Sequence, residues 1–199
     1  DLPWPELHKI NGNLIIDRHS LSVKSNSINI VGLPRLQITQ ADVSIADFST
    51  AQVVVNARGN GPLAELHGLI VTSPVNDLTN RVLASSKFDG NGDFKFDLAL
   101  PVANLQNSRV NGTINFLGND VQITPDTTRL SQTKGSVIFN EKGVDIKEAK
   151  AQLFGGEIRF DGGNLSSKSG TSSVVIIRGQ GEATAGALQS AQNLSVLPN

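Results

Sequence analysis

The 199-residue sequence carries 17 basic and 18 acidic side chains, a net charge of −1, and neither cysteine nor methionine. Single, scattered lysines and arginines argue against a nucleic-acid partner, and the lack of cysteine excludes disulfides and thiolate chemistry. No apolar run reaches the roughly 18 residues of a membrane-spanning helix. Because the chain does not begin with methionine, we expect a piece of a longer or processed protein, with any membrane anchor outside it.

Alternation of apolar and polar residues, typical of strands with one apolar face, recurs along nearly the whole chain. Polar turns separate these segments, which predicts an antiparallel meander. In chain order the predicted strands centre on residues 14–16, 21–23, 28–30, 36–38, 43–45, 53–55, 94–102, 114–116, 121–123, 137–139, 144–146, 153–154, 158–160 and 174–177. Two segments predict helices, residues 62–71 with proline in the first turn and residues 182–193, rich in alanine and leucine.

The longest predicted strand follows a glycine-rich turn at residues 89–93, which we interpret as a hairpin turn. Five large apolar residues alternate along it with Lys95, Asp97, Ala99 and Pro101; they are Phe94, Phe96, Leu98, Leu100 and Val102. Burial of such side chains contributes roughly 1.5–3 kcal/mol each. Protein or ligand must therefore cover this face, and the functional question is which of the two does so.

The sequence also contains an internal similarity. Residues 11–32 align with residues 134–155 at an offset of about 123, so that Gly12 falls on Gly135 and Gly32 on Gly155. Residues 53–61 align with 173–181, and a predicted helix follows both. This pattern predicts a first repeat unit over residues 10–133 and the first half of a second over 134–199. Residues 1–199 are then one elongated fragment of a longer rod of repeats.

Motifs for catalysis or metal binding have simpler explanations. Gly59, Gly61 and Ala64 fit a dinucleotide-binding fingerprint, but that motif needs a parallel strand–helix–strand unit. Residues 89–93 resemble half a calcium loop, yet the later positions that require glycine and glutamate hold Phe94 and Leu100. The three histidines have no metal-ligand spacing. We therefore expect no enzyme activity, no cofactor and no metal site.

Glycines, prolines and apolar residues over most of residues 52–188 occur in a recognisable order. The positions are Gly61, Pro62 and Leu63; Ser73 and Pro74; Pro101; Gly112 and Asn119; and Gly135, Phe139, Gly143, Gly155 and Gly156. In this order the chain resembles the AsmA-like proteins, most closely the YhdP branch. Residues 179–188 resemble the family's glycine- and threonine-containing turn before its next helix.

The resemblance implies a bridge-like lipid transfer protein of the Gram-negative envelope. Such proteins are anchored in the inner membrane and cross the periplasm as a long, curved β groove that is apolar inside. Phospholipids are then the expected partner, and we expect parts of the protein outside this fragment to contact the inner and outer membranes. The family has no catalytic residues to transfer to this chain.

Together, alternation and resemblance predict an all-β, mainly antiparallel fold with two short helices, forming an elongated groove built from repeats. Acyl chains can complete the core of such a sheet, because each buried methylene contributes about 0.8 kcal/mol. The predicted groove residues are Phe94, Phe96, Leu98, Leu100, Leu14, Ile16, Ile114, Phe116, Val137 and Phe139. The alternative is a β sandwich or solenoid with a closed core that serves as a spacer or adhesion module.

Overall fold

In the computed structural model, which describes residues 4–165, 174–184 and 186, eleven strands form one open, curved sheet. Every pair of neighbouring strands is antiparallel, which confirms the all-β prediction. The strands are β1 (Leu7–Asp17), β2 (Ser20–Ile30), β3 (Leu33–Ile45), β4 (Gln52–Pro62), β5 (Lys87–Asp89), β6 (Asn91–Pro101), β7 (Arg109–Gln122), β8 (Leu130–Asn140), β9 (Gly143–Leu153), β10 (Gly156–Leu165) and β11 (Val174–Gly181).

Two short α-helices follow β4. Helix α1 (Leu63–Val71) confirms the first predicted helix, and Pro62 precedes it in an extended conformation. Helix α2 (Pro74–Leu78) begins with a proline, whose fixed φ suits a first turn, and it was not among the predicted helices. Of the second predicted helix, residues 182–193, only 182–184 and 186 are described. Neither α1 nor α2 is long and apolar enough to span a membrane.

The strand order is β1-β2-β3-β4-β6-β7-β8-β9-β10-β11, and β5 pairs with β7. Strands β5 and β6 thus lie one after the other along β7, interrupted at Gly90, whose φ is +85°. The predicted hairpin turn at residues 89–93 is therefore wrong. Glycine at this position permits a kink that other residues adopt only with strain, and the chain continues beyond it as an interrupted strand.

Strand β4 explains the glycines that imitate a dinucleotide fingerprint. It pairs antiparallel with both β3 and β6, so the parallel unit that the fingerprint requires is absent at β4. Gly59 lies directly opposite Phe94, and a Cβ atom on Gly59 would lie 2.4 Å from the Cζ atom of the Phe94 ring. The glycine therefore provides space for an aromatic ring.

Two hairpins of the sheet have matching bounds. Strand β1 runs from Leu7 to Asp17 and β8 from Leu130 to Asn140, a shift of 123 residues at both ends. Strands β2 and β9 show the same shift. The proposed division into repeat units over residues 10–133 and 134–199 stays a prediction, because similar hairpins do not by themselves define a unit of folding.

Asn119 joins three strands near the Gly90 kink. Its side chain is buried, donates hydrogen bonds to the carbonyl oxygens of Asp89 (2.9 Å) and Asn91 (2.8 Å), and accepts one from the Leu117 N–H (2.7 Å). We expect Asn119→Ala to lower the free energy of unfolding by about 1–3 kcal/mol, because it leaves three partly buried backbone groups without their hydrogen-bond partner. Denaturant unfolding measures this. The exposed Asn111→Ala is the control, and equal losses for both variants would contradict the assigned role.

Candidate functional site

The register of the sheet puts apolar side chains into rows that cross the strands on one face. Residues directly opposite each other on antiparallel strands point to the same side of a sheet. One row crosses nine strands without interruption: Ile28, Ile38, Gly59, Phe94, Ile114, Val137, Ile146, Gly162 and Ile177. We call this side of the sheet the apolar face.

All ten predicted groove residues lie on the apolar face, because each belongs to a row of this register. Two further rows are Leu14–Val23–Val43–Val55–Leu98–Val110 and Ile16–Leu21–Ile45–Val53–Leu100. Phe96, Gly112 and Phe139 form part of another, and Phe116 continues the pattern towards the opposite end of the strands. Solvent exposure, however, divides the ten residues into two groups.

Seven of the ten are buried in one core and form what we call the central cluster. Their exposed fractions are between 0 and 8%: Phe94, Phe96, Leu98, Leu100, Ile114, Phe116 and Phe139. Val137 is partly buried against the same core. The ring of Phe96 lies 5.7 Å from that of Phe94 and 5.8 Å, edge-on, from that of Phe139, measured between centroids. The central cluster is therefore packed as a protein interior.

Residues 63–86, which we call the cover segment, supply the other side of this core. They comprise α1, α2 and the turns that lead to β5. Leu63, Leu66 and Ile70 are spaced at i, i+3 and i+7 on α1 and are all buried with the central cluster. Val75 and Leu83 extend the contact. The middle of the apolar face is thus covered by protein.

Towards β1, the same face is only partly covered. Leu14 and Ile16 are 62% and 64% exposed. The six residues that continue their rows across β2, β3 and β4 are half-buried: Leu21, Val23, Val43, Ile45, Val53 and Val55. These eight side chains form what we call the open strip. Across β4 the strip continues into Leu98 and Leu100 of the central cluster.

Behind the open strip and the central cluster, the opposite face of the sheet carries charged and polar side chains together with the apolar Ile15 and Val54. In the strand register Lys24 lies opposite Asp42, and Arg58 lies opposite Lys95. The Lys95 ammonium lies 2.6 Å from the Asp97 carboxylate. The opposite side is therefore the more polar of the two, and the open strip belongs to the apolar face.

The loop between β3 and β4 borders the open strip at the ends of the strands. Hydrogen bonds from the Ser49 hydroxyl and backbone N–H lower the pKa of the Asp47 carboxyl. The neighbouring Phe48 is 42% exposed. The charged Asp47 thus lies at the edge of the open strip, whose own surface is formed by apolar side chains.

Among residues 4–165, 174–184 and 186, no group of three or more histidine, aspartate or glutamate side chains is placed to hold a metal ion. One aspartate of the former calcium candidate, Asp89, takes part in ion pairs. Asp89 and Asp120 both lie against the Arg129 guanidinium, at 2.5 and 3.0 Å. They form exposed ion pairs between neighbouring segments, which contribute little to stability.

Sequence reasoning missed two features of this site. The six half-buried residues of the open strip were predicted only as strand markers, because alternation along one strand does not give the register to the next. The cover segment was also missed as a partner of the sheet. Its signal was the apolar spacing of Leu63, Leu66 and Ile70, since a helix with an apolar stripe must bury it against another element.

Comparison with known proteins adds the family. A family model described as "YhdP protein" matches residues 2–198 of this chain. The chain belongs to the YhdP family. No curated protein and no solved structure matches it. The resemblance noted in the sequence is thereby confirmed at the level of the family, and an open, curved sheet with one apolar face is the fold of this member.

Proposed function

We propose that this chain is a segment of a phospholipid conduit, in which acyl chains lie on the apolar face and head groups remain in water. The observation that carries the proposal is the open strip, where eight apolar side chains in two cross-strand rows lack a full protein cover. An isolated exposed leucine is ordinary on a protein surface, but a contiguous apolar patch indicates a binding surface.

The dimensions of the strip suit an acyl chain. Its rows run from β1 to β4 through β2 and β3, and with neighbouring strands about 4.8 Å apart they are about 14 Å long. One leaflet of a bilayer contributes about half of its roughly 30 Å hydrocarbon core. Each methylene buried on the strip contributes about 0.8 kcal/mol, so a chain of ordinary length can be held without a specific polar contact.

Family membership supports the cellular setting of the proposal. We infer a periplasmic location, as part of a protein anchored in the inner membrane, with lipids moving between the inner and outer membranes. The proposed role requires no catalysis and no cofactor, because movement along an apolar surface makes and breaks no covalent bond. The proposed partners are phospholipids and, through other parts of the protein, the two membranes, without nucleic acid.

A structural spacer is the second candidate, and the burial of the central cluster favours it. Under this alternative the apolar face is an ordinary core, and the open strip is covered by protein in the intact molecule. The two candidates differ in what contacts the exposed end of the strip, which an experiment in cells can measure.

Leu14 and Ile15 offer a matched pair for this test. They are adjacent on β1, similarly apolar and 62% and 60% exposed, but Leu14 lies on the apolar face and Ile15 on the opposite face. With a photo-crosslinking residue at each position in the full-length protein in cells, we expect phospholipid adducts at Leu14 at several times the level at Ile15. Equal labelling would contradict the conduit, and protein adducts alone at Leu14 would support the spacer.

A further inference from the structure

The cover segment occupies the same apolar face that the proposed conduit needs for lipids. Along the face, the open strip leads from β1 to Leu98 and Leu100, and there the cover segment lies over the sheet. An acyl chain moving further towards β7 and β8 must occupy the space that Leu66 and Ile70 fill. Closure of the cover segment and occupation of the central cluster by lipid therefore exclude each other.

The topology allows the cover segment to move without breaking the sheet. Strands β4 and β6 pair directly along their whole length, from Gln52 opposite Pro101 to Pro62 opposite Asn91. The segment leaves the sheet after Pro62 and returns at β5, and the Leu63 N–H donates to the Gly90 oxygen (2.8 Å). Its first residue is thus tied to Gly90, just beyond β5, and the sheet beneath the segment is continuous.

The cover segment also satisfies many of its polar groups internally, which makes it a self-contained unit. The buried hydroxyl of Thr79 donates to the Val75 oxygen (2.8 Å), and that of Ser73 donates to the Ile70 oxygen (3.1 Å). The His67 Nε2 atom lies 2.8 Å from the Leu83 oxygen. These bonds would persist if the segment moved away from the sheet as one body.

Besides its apolar contact with the central cluster, the cover segment is attached to the sheet by polar contacts, one of which runs from the Ser86 hydroxyl to the Ile123 oxygen (2.9 Å). The Asn80 side chain donates to the Glu141 oxygen (2.8 Å) in the β8–β9 turn. The Glu65 Oε1 atom accepts from Arg35 Nε (2.6 Å), but Glu65 Oε2 is buried without a hydrogen-bond partner among the described residues. Release would hydrate this oxygen.

We propose that residues 63–86 form a lid that opens when acyl chains replace it on the central cluster. The inference rests on the proposed function, and it adds regulation to the conduit. In water alone the lid stays closed, because opening would expose both its own apolar side chains and those of the sheet. Acyl chains remove part of this penalty by covering the sheet, so lipid binding shifts the equilibrium towards the open state.

The distance between the lid and the sheet tests this directly. This sequence contains no cysteine, so spin labels can be attached at Asp77→Cys on the lid and Asp145→Cys on β9, in the full-length protein with any cysteine elsewhere replaced. We expect one distance without lipid and a second, longer distance after incubation with vesicles of phosphatidylethanolamine and phosphatidylglycerol. Labels at Gln40→Cys and Asp145→Cys, both on the sheet, are the control and should report no second distance.

Variants at the lid contacts separate this proposal from the proposed function. Asn80→Asp removes the side-chain donor to the Glu141 oxygen while keeping a residue that tolerates the positive φ of this position, and we expect it to raise the open fraction at least twofold at a fixed lipid concentration. Arg35→Gln, which takes the charged partner from Glu65, should act in the same direction, whereas Asn76→Ala, which removes a bond to Val71 within the lid, should not. Bound phospholipid with an unchanged lid distance overturns the lid alone. Failure to bind any phospholipid overturns both proposals.

Discussion

Replacing Phe139 with alanine should lower the free energy of unfolding by about 3–5 kcal/mol, the range for removing a buried aromatic ring. Phe139 is fully buried at the centre of the apolar face, and its ring packs edge-on against Phe96. It also lies over Gly112, where a Cβ atom would come within 2.1 Å of the ring. Denaturant unfolding of wild type and variant, with equal m-values, measures the loss.

Two companion variants make this expectation specific. Phe48→Ala removes the same ring from an exposed loop position, and it should change stability by no more than about 0.5 kcal/mol. Gly112→Ala should cost about 1–3 kcal/mol in the wild type by overpacking against Phe139, but little in the Phe139→Ala background, where the ring is gone. Additive effects of the two substitutions would contradict the contact between Gly112 and Phe139.

Much of this architecture follows from local sequence. Alternation along each strand and the two-residue turns at 18–19 and 141–142 are enough to predict hairpins, and β1 with β2 and β8 with β9 are such hairpins. The prediction failed at Gly90, because a glycine between two apolar segments is compatible with either a turn or a kink. Which of them forms depends on pairing with β7, about 30 residues further along the chain.

The sequence predicts which face of the sheet the groove residues occupy, but it does not predict which of their side chains are exposed to solvent. The alternation assigns Phe96 and Leu14 to one face of the sheet, as the register requires. It does not indicate which other segment packs on that face. The cover segment buries Phe96 and leaves Leu14 exposed. Burial depends on a packing partner elsewhere in the chain, so the distinction between a lined groove and a covered core needs tertiary structure.

A charge in the open strip should block lipid binding. Val43 lies half-buried in the middle of the strip, between Val23 on β2 and Val55 on β4. With Val43→Glu, an acyl chain on the strip would cover a carboxylate that has no cation opposite it, and burying an unpaired charge costs several kcal/mol. We expect phospholipid affinity to fall at least tenfold, which corresponds to about 1.4 kcal/mol, in a binding assay with fluorescent phospholipid.

Ser44→Glu is the matched control, because Ser44 is the next residue on β3, is also half-buried and lies on the opposite face between Ser22 and Val54. It adds the same charge to the same strand and should leave phospholipid affinity within about twofold of wild type, since its carboxylate remains in water. Unfolding curves of both variants establish that each is folded under the assay conditions. Equal loss of affinity in the two variants would mean that charge acts on the sheet as a whole, and equal retention would mean that acyl chains do not use the strip.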